Sequence, residues 1–110
     1  MIARIWHGWA APPQADAYER YFRETLAPEL RAIAGFSGAH LLRRSVGGEV
    51  ELSTVTWFES LDAVRRFAGD DYERAVVSEH ARSLLMRYDP TCRHFDLAFA
   101  VGDAGSDREG

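Results

Sequence analysis

Histidine, cysteine and tryptophan supply most of the chemistry open to this chain. It holds four histidines (His7, His40, His80, His94), one cysteine (Cys92) and three tryptophans (Trp6, Trp9, Trp57). No two histidines have the spacing of a helical zinc pair, and carboxylates do not cluster with them, so no metal site is expected. Cys92 and His94 lie two residues apart on a segment that reads as a strand. Such neighbours share a face but stand about 7 Å apart, too far for a base–nucleophile bond. Cys92 therefore reads as a small buried hydrophobe.

His80 flanks an apolar stripe that includes Leu84. Facing a cavity between helices and sheet, it could act as a base that deprotonates a phenol or enol. The electron-rich anion formed can donate an electron to O2 without a cofactor, given a cation or donor for the developing charge. Arg82 is the candidate for that cation. A partly exposed helix histidine and a surface arginine are the plain readings of the same two residues. The tryptophans could line a pocket for an aromatic substrate, and they serve equally well as core.

Several chemistries are excluded by composition. All 13 basic residues are Arg, so a Schiff-base lysine and a phosphate-loop lysine are ruled out. No nucleophile-elbow, dinucleotide-binding or C-x-x-C motif occurs. The net charge of −4 and the absence of a basic block argue against a nucleic-acid partner. A single cysteine forms no intrachain disulfide, which fits a reducing compartment. With no long apolar run and no leader-like N-terminus, a cytoplasmic protein without a membrane segment is expected.

These residues need elements to position them. Residues 2–9 alternate as a strand. Ala11-Pro12-Pro13 breaks it, and residues 14–27 carry Tyr18, Phe22, Thr25 and Leu26 at helical spacing. Charge pairs Asp16/Arg20, Glu19/Arg23 and Arg20/Glu24 are expected on its wet side. Pro28 should end or kink this helix, with a short continuation towards Gly35. Residues 36–45 and 49–58 read as a hairpin turning at Val46-Gly47-Gly48, whose far end carries a solvated Arg43-Arg44. Phe36, His40 and Leu42 are expected on one face of its first strand. Ser60 caps a helix carrying Leu61, Val64, Phe67 and Ala68, with Gly69 as its stop. One or two further turns are expected over 71–77. A third helix should run from Ser78-Glu79 to Asp89-Pro90, with Ala81, Leu84, Leu85 and Tyr88 on one side. Residues 92–101 form the last strand.

The order β-α-β-β-α-(α)-β predicts an α+β fold of the ferredoxin-like, split-βαβ kind. It implies a four-stranded antiparallel sheet with helices on one face. One domain over residues 1–101 follows, with 102–110 as a polar, disordered tail. The strands are apolar on both faces: Ile2 and Trp6 point one way, Ile5 and Trp9 the other. A second copy packed sheet to sheet would bury the free face, so a homodimer is expected.

The resemblance adds to this reading. Ala3-Arg4-Ile5-Trp6-His7-Gly8-Trp9, the helix around Ala15-Asp16-Ala17-Tyr18-Glu19, Gly35-Phe36-Ser37-Gly38-Ala39, Thr56-Trp57-Phe58-Glu59-Ser60-Leu61-Asp62-Ala63 and Phe67-Ala68-Gly69-Asp70-Asp71-Tyr72 together resemble the antibiotic biosynthesis monooxygenase family. The family mixes cofactor-free quinone-forming oxygenases, haem-degrading enzymes and members of unknown role. The resemblance implies a cofactor-independent monooxygenase acting on an aromatic phenol. Trp57, His80 and Arg82 would be catalytic, and Trp6, Phe67 and Tyr72 would hold a small aromatic ligand. Ser53, Leu42 and Val64 stand where the quinone-forming members carry Asn, His and Tyr. Trp6, Phe67 and Val77 stand where the haem-degrading members carry Asn, Trp and the His ligand, with His80 about one turn further on. The chain contains no asparagine, so neither site has its usual form. A haem-binding protein with altered ligands and a non-catalytic binding dimer are the alternatives the resemblance leaves open.

Overall fold

A computed structural model describes residues 1–102 of the 110-residue chain. The tail expected over 102–110 therefore lies, apart from Gly102, outside the described residues.

Strand β1 (Ile2–Ala10) leads into helix α1 (Pro12–Tyr21), a π-helical turn (Phe22–Leu26) and helix α2 (Ala27–Arg31). The rod runs through Pro28, which was expected to end or kink it. Proline lacks the N–H for the preceding turn and its ring crowds the carbonyl four residues back. The wider turn relieves this: the Ala27 N–H donates to the Phe22 carbonyl, and Pro28 then opens α2, where its missing N–H costs nothing. Of the three charge pairs expected on the wet side, the structure forms Glu19–Arg23 at 3.1 Å.

Strands β2 (Phe36–Val46) and β3 (Glu49–Phe58) form the expected hairpin, with Gly47 and Gly48 both at positive φ. Helix α3 (Leu61–Ala68) starts at Ser60, whose side chain accepts from the Ala63 N–H, and stops at Gly69. Residues 71–77 are irregular instead of helical, joined to the rest by a bridge between Arg74 and Thr91. Helix α4 (Glu79–Leu84) is capped by Ser78 but is shorter than expected. The reason is long-range. Leu85 turns extended, Met86 donates to the Trp9 carbonyl, and Arg87–Tyr88 becomes strand β4 against β1. The last strand is likewise split, with β5 (Arg93–Asp96) on the other half of β1.

The sheet runs β2-β3-β1-β4 with β5 beside β4 along the same edge of β1, and every pairing is antiparallel. This is the α+β, ferredoxin-like architecture. Trp6, Ala10, Val50 and Leu52 meet Ala15, Tyr18 and Ala81 in one part of the core. Phe58, Leu30, Ala63 and Val64 form the other part, all without solvent exposure.

A bulge between Phe36 and Gly38 changes one expectation. It shifts the pleat by one residue, so Phe36 joins Ala39 and Leu41 on the helix-covered face. His40 and Leu42 lie on the opposite face. Arg43, on the helix side, ion-pairs with Asp16 and Glu19 at 3.0 and 2.9 Å and is not merely a solvated hairpin end. Among the described residues no helix is long and apolar enough to cross a membrane.

Candidate functional site

The helix-covered face holds a narrow slot of about 40 Å³. Strand β1 supplies Arg4 and Trp6, and β3 supplies Thr54 and Thr56. The long helical rod supplies Tyr18, Tyr21, Phe22, Leu26 and Leu30. Phe67, Val76, Val77, Ala81 and Cys92 complete the wall. Phe22 and Leu26 bound the π-helical turn, so the rod's one irregular segment lies on the slot. Such turns recur at functional sites.

Trp6 is fixed in place. Its indole N–H donates to the Asp89 carbonyl at 2.8 Å, and its ring lies 6.2 Å from the rings of both Tyr18 and Tyr88. Gly8, two residues along the same face, leaves room for it. A Cβ there would stand 2.7 Å from Trp6 Cη2. Burial and the neighbouring Tyr21 push the Tyr18 phenol well above its ordinary pKa, so it stays protonated. Burial likewise raises the Cys92 thiol, against the pull of Arg4.

Arg4 was not singled out by sequence reasoning. It is 4% exposed and, among the described residues, is the one charged side chain that is buried. Nη1 donates to the Tyr72 carbonyl at 2.5 Å and meets His94 Nε2 at 3.1 Å; Nη2 donates to the Arg74 carbonyl at 3.1 Å. The guanidinium carbon lies 5.7 Å from the centre of the Phe67 ring. His94 must accept from Arg4, which requires a neutral ring. Burial, and then the Arg4 charge, lower its pKa accordingly. The only sequence signal was an arginine at a strand position whose neighbours Ile2 and Trp6 point inward.

The six expected site residues fall in four places. Trp6 and Phe67 line the slot. Tyr72 sits behind it, its ring against His94 and its carbonyl on Arg4. Trp57 is on the opposite face of the sheet, opposite Ala3 and Gly38, on an open concavity with Met1, Leu97 and Phe99. His80 is exposed on α4, at the outer side of Tyr21 with ring centres 5.5 Å apart. Arg82 is exposed on the same helix. Within one chain the alternation of β3 and the exposure of α4 therefore keep Trp57 apart from His80 and Arg82.

The fit of a haem can be tested on the donors present. No imidazole lines the slot. Of the thiol and phenols that do, Cys92 and Tyr18 are shifted towards their protonated forms, which bind iron poorly, and the Tyr21 hydroxyl is hydrogen-bonded to Ser78 at 3.0 Å. The residues do not fit haem. Among the described residues no group of three or more metal-binding side chains occurs.

Comparison with known proteins agrees with the architecture. The chain resembles the haem-degrader MhuD of Mycobacterium tuberculosis, solved with two haems in its active site, at 21% identity and a TM-score of 0.59, covering 93% of this chain and 100% of that one. It resembles a monooxygenase from ActVA-Orf6 of Streptomyces coelicolor, solved with nanaomycin D, at 16% identity and a TM-score of 0.62, covering 91% and 88%. It also resembles NE2512 of Nitrosomonas europaea, a protein of unknown function, at 19% identity and a TM-score of 0.63, covering 94% and 95%. At these identities the likeness speaks for the fold. No curated protein matches the chain. The profile of the antibiotic biosynthesis monooxygenase family matches residues 1–79, from β1 to the N-cap region of α4, and the chain belongs to that family.

Proposed function

We propose that the chain is a cofactor-independent monooxygenase that oxidises a small phenol-type aromatic with O2. The observation that carries this reading is the slot, walled by Trp6, Tyr18, Tyr21, Phe22 and Phe67 with one cation, Arg4, among the lining residues. Aromatic walls favour a flat ring, and a fixed cation favours the anion that must form before O2 can accept an electron. The overall change is the oxidation of a ring methylene to a carbonyl. One oxygen atom of O2 enters the ring, and the other leaves as water with the two methylene hydrogens.

Within this reading His80, which lies outside the slot lining with its ring 5.5 Å from that of Tyr21, is the base assigned to the phenol proton. Trp57 is assigned to the interface described below, and Arg82 receives no role. The slot is smaller than such an aromatic ring, so this reading requires the wall that carries Val76 and Val77 to widen on binding. Oxygen consumption with an anthrone-type substrate tests the enzyme. Wild type should exceed the buffer control, and His80→Ala should lose about tenfold or more of the rate, within the usual range for a general base. A rate unchanged by His80→Ala removes the base assignment. No oxygen uptake with retained ligand binding favours a non-catalytic binding protein.

We further propose that a second copy of this chain covers the open face of the sheet. Ile5, Trp9, Leu42, Val55, Trp57 and Phe95 form an apolar field there, with Leu42 55% and Phe95 48% exposed. Few monomers leave such a field wet, and a dimer interface needs roughly 800 Å² per partner. Sedimentation equilibrium decides it: a monomer at micromolar concentration overturns the dimer.

A further inference from the structure

We infer that the slot takes an aromatic anion, a flat ring bearing a carboxylate or phenolate oxygen, with that oxygen seated on Arg4. This rests on the slot reading above and names the charge of its ligand. The ground is an imbalance of charge. Arg4 is 96% removed from solvent, yet its partners are two backbone carbonyls and a neutral imidazole. Among the described residues every ion pair involves other side chains, and none reaches Arg4. A guanidinium has five N–H donors, and three contacts account for those used. A buried cation without an opposite charge is costly, because carbonyl dipoles replace only part of the lost hydration.

Among the described residues no carboxylate pairs with Arg4; the Glu73 charge acts on the neighbouring His94 and forms no ion pair with the guanidinium. Cys92 and Tyr18, which line the slot, are both held protonated by burial. Phe67 gives the cation a ring face, which orders the guanidinium without neutralising it. The Tyr72 and Arg74 carbonyls also tie the 71–77 segment to β1 through this same side chain. The wall that carries Val76 and Val77 and the anion seat therefore share one anchor.

The test uses matched pairs of ligands on the full chain by calorimetry. 2-Naphthoate and 2-naphthamide differ by a carboxylate charge; 4-nitrophenolate and 4-nitroanisole, in mildly alkaline buffer, differ by a phenolate charge. In at least one pair the anion should bind about tenfold tighter or more, as one charge-assisted hydrogen bond supplies. The pair that shows it tells carboxylate from phenolate. Arg4→Gln should abolish the preference while changing the neutral twin by less than about threefold, and Arg4→Lys should retain part of it. Equal affinity of the twins in wild type, or a preference that survives Arg4→Gln, overturns the anion seat and leaves the slot standing. If none of the four ligands binds wild type, the slot reading fails, and the anion seat with it. Should both variants fail to fold, the guanidinium N–H resonances of Arg4 in wild type decide. They must shift with the anion and not with its neutral twin.

Discussion

The two faces of the sheet are built by the same strands, one residue apart, and they differ in what finishes them. On the helix-covered face Trp6 is hydrogen-bonded, ringed by Tyr18 and Tyr88, and 7% exposed. On the open face Trp9 has His7 on one side and the Arg87 guanidinium 4.8 Å above its ring, with no second layer of the described residues over it. The covered face is complete within one chain except for one charge, that of Arg4. The open face is satisfied in charge, with Arg87 bridging Glu49 and Arg44 bridging Glu51, yet lacks apolar cover. Each face thus asks for a different partner: a small anion on one, a large apolar surface on the other.

Adjacent residues on β3 offer the sharpest way to break this contrast. Phe58 is fully buried on the covered face, and Phe58→Ala should cost about 3–5 kcal/mol in urea unfolding. Trp57→Ala, one residue earlier, should cost the monomer far less and instead raise the dimer dissociation constant about a hundredfold. That is the size expected of a central aromatic at an interface, and sedimentation reads it. Similar losses of monomer stability from the two changes would erase the distinction between the faces.

Gly8→Ala probes the covered face alone. The added methyl would meet Trp6 Cη2 at 2.7 Å and Leu85 Cδ2 at 3.2 Å, so the indole must move into the slot. A cost of about 1–3 kcal/mol, a shifted tryptophan emission and weakened ligand binding are expected, with the oligomeric state unchanged. A smaller effect comes from Ser60→Ala. It removes the acceptor for the Ala63 N–H and should cost about 1 kcal/mol in thermal unfolding.

The smallest effect is a pH dependence. The His94 pKa is lowered in the folded state by burial and by Arg4. Below its ordinary value near 6.5 the unfolded chain binds a proton that the folded chain refuses. Its contribution is therefore complete above that pH and is lost as pH falls towards the lowered pKa. Stability curves for wild type and His94→Phe should converge in slope near neutrality and diverge in mild acid. Parallel curves through that window would detach His94 from Arg4.

Local spacing made much of this legible. Alternation placed β1 and β3, the Gly47-Gly48 pair placed the hairpin, and Ser60, Ser78 and Gly69 marked helix ends. Each of these depends on a few neighbouring residues. The misreadings share the opposite property. The stripe Ala81, Leu84, Leu85 and Tyr88 suits a longer helix, and only the pairing of Met86 and Tyr88 with β1 ends it after Leu84. The bulge after Phe36 reverses the parity of half a strand, and no turn residue announces it.

The element order, the antiparallel sheet and the surplus of apolar strand faces were determined by the sequence itself, because period and turn chemistry are short-range. Which face each tryptophan serves was decided only by tertiary structure. So was the exposure of His80 and Arg82. The burial of Arg4 belongs with them, since its partners lie at least 68 residues away in the chain. A charge's environment is set by groups that meet only when β5 and the 71–77 segment close on β1, and no local pattern encodes that meeting.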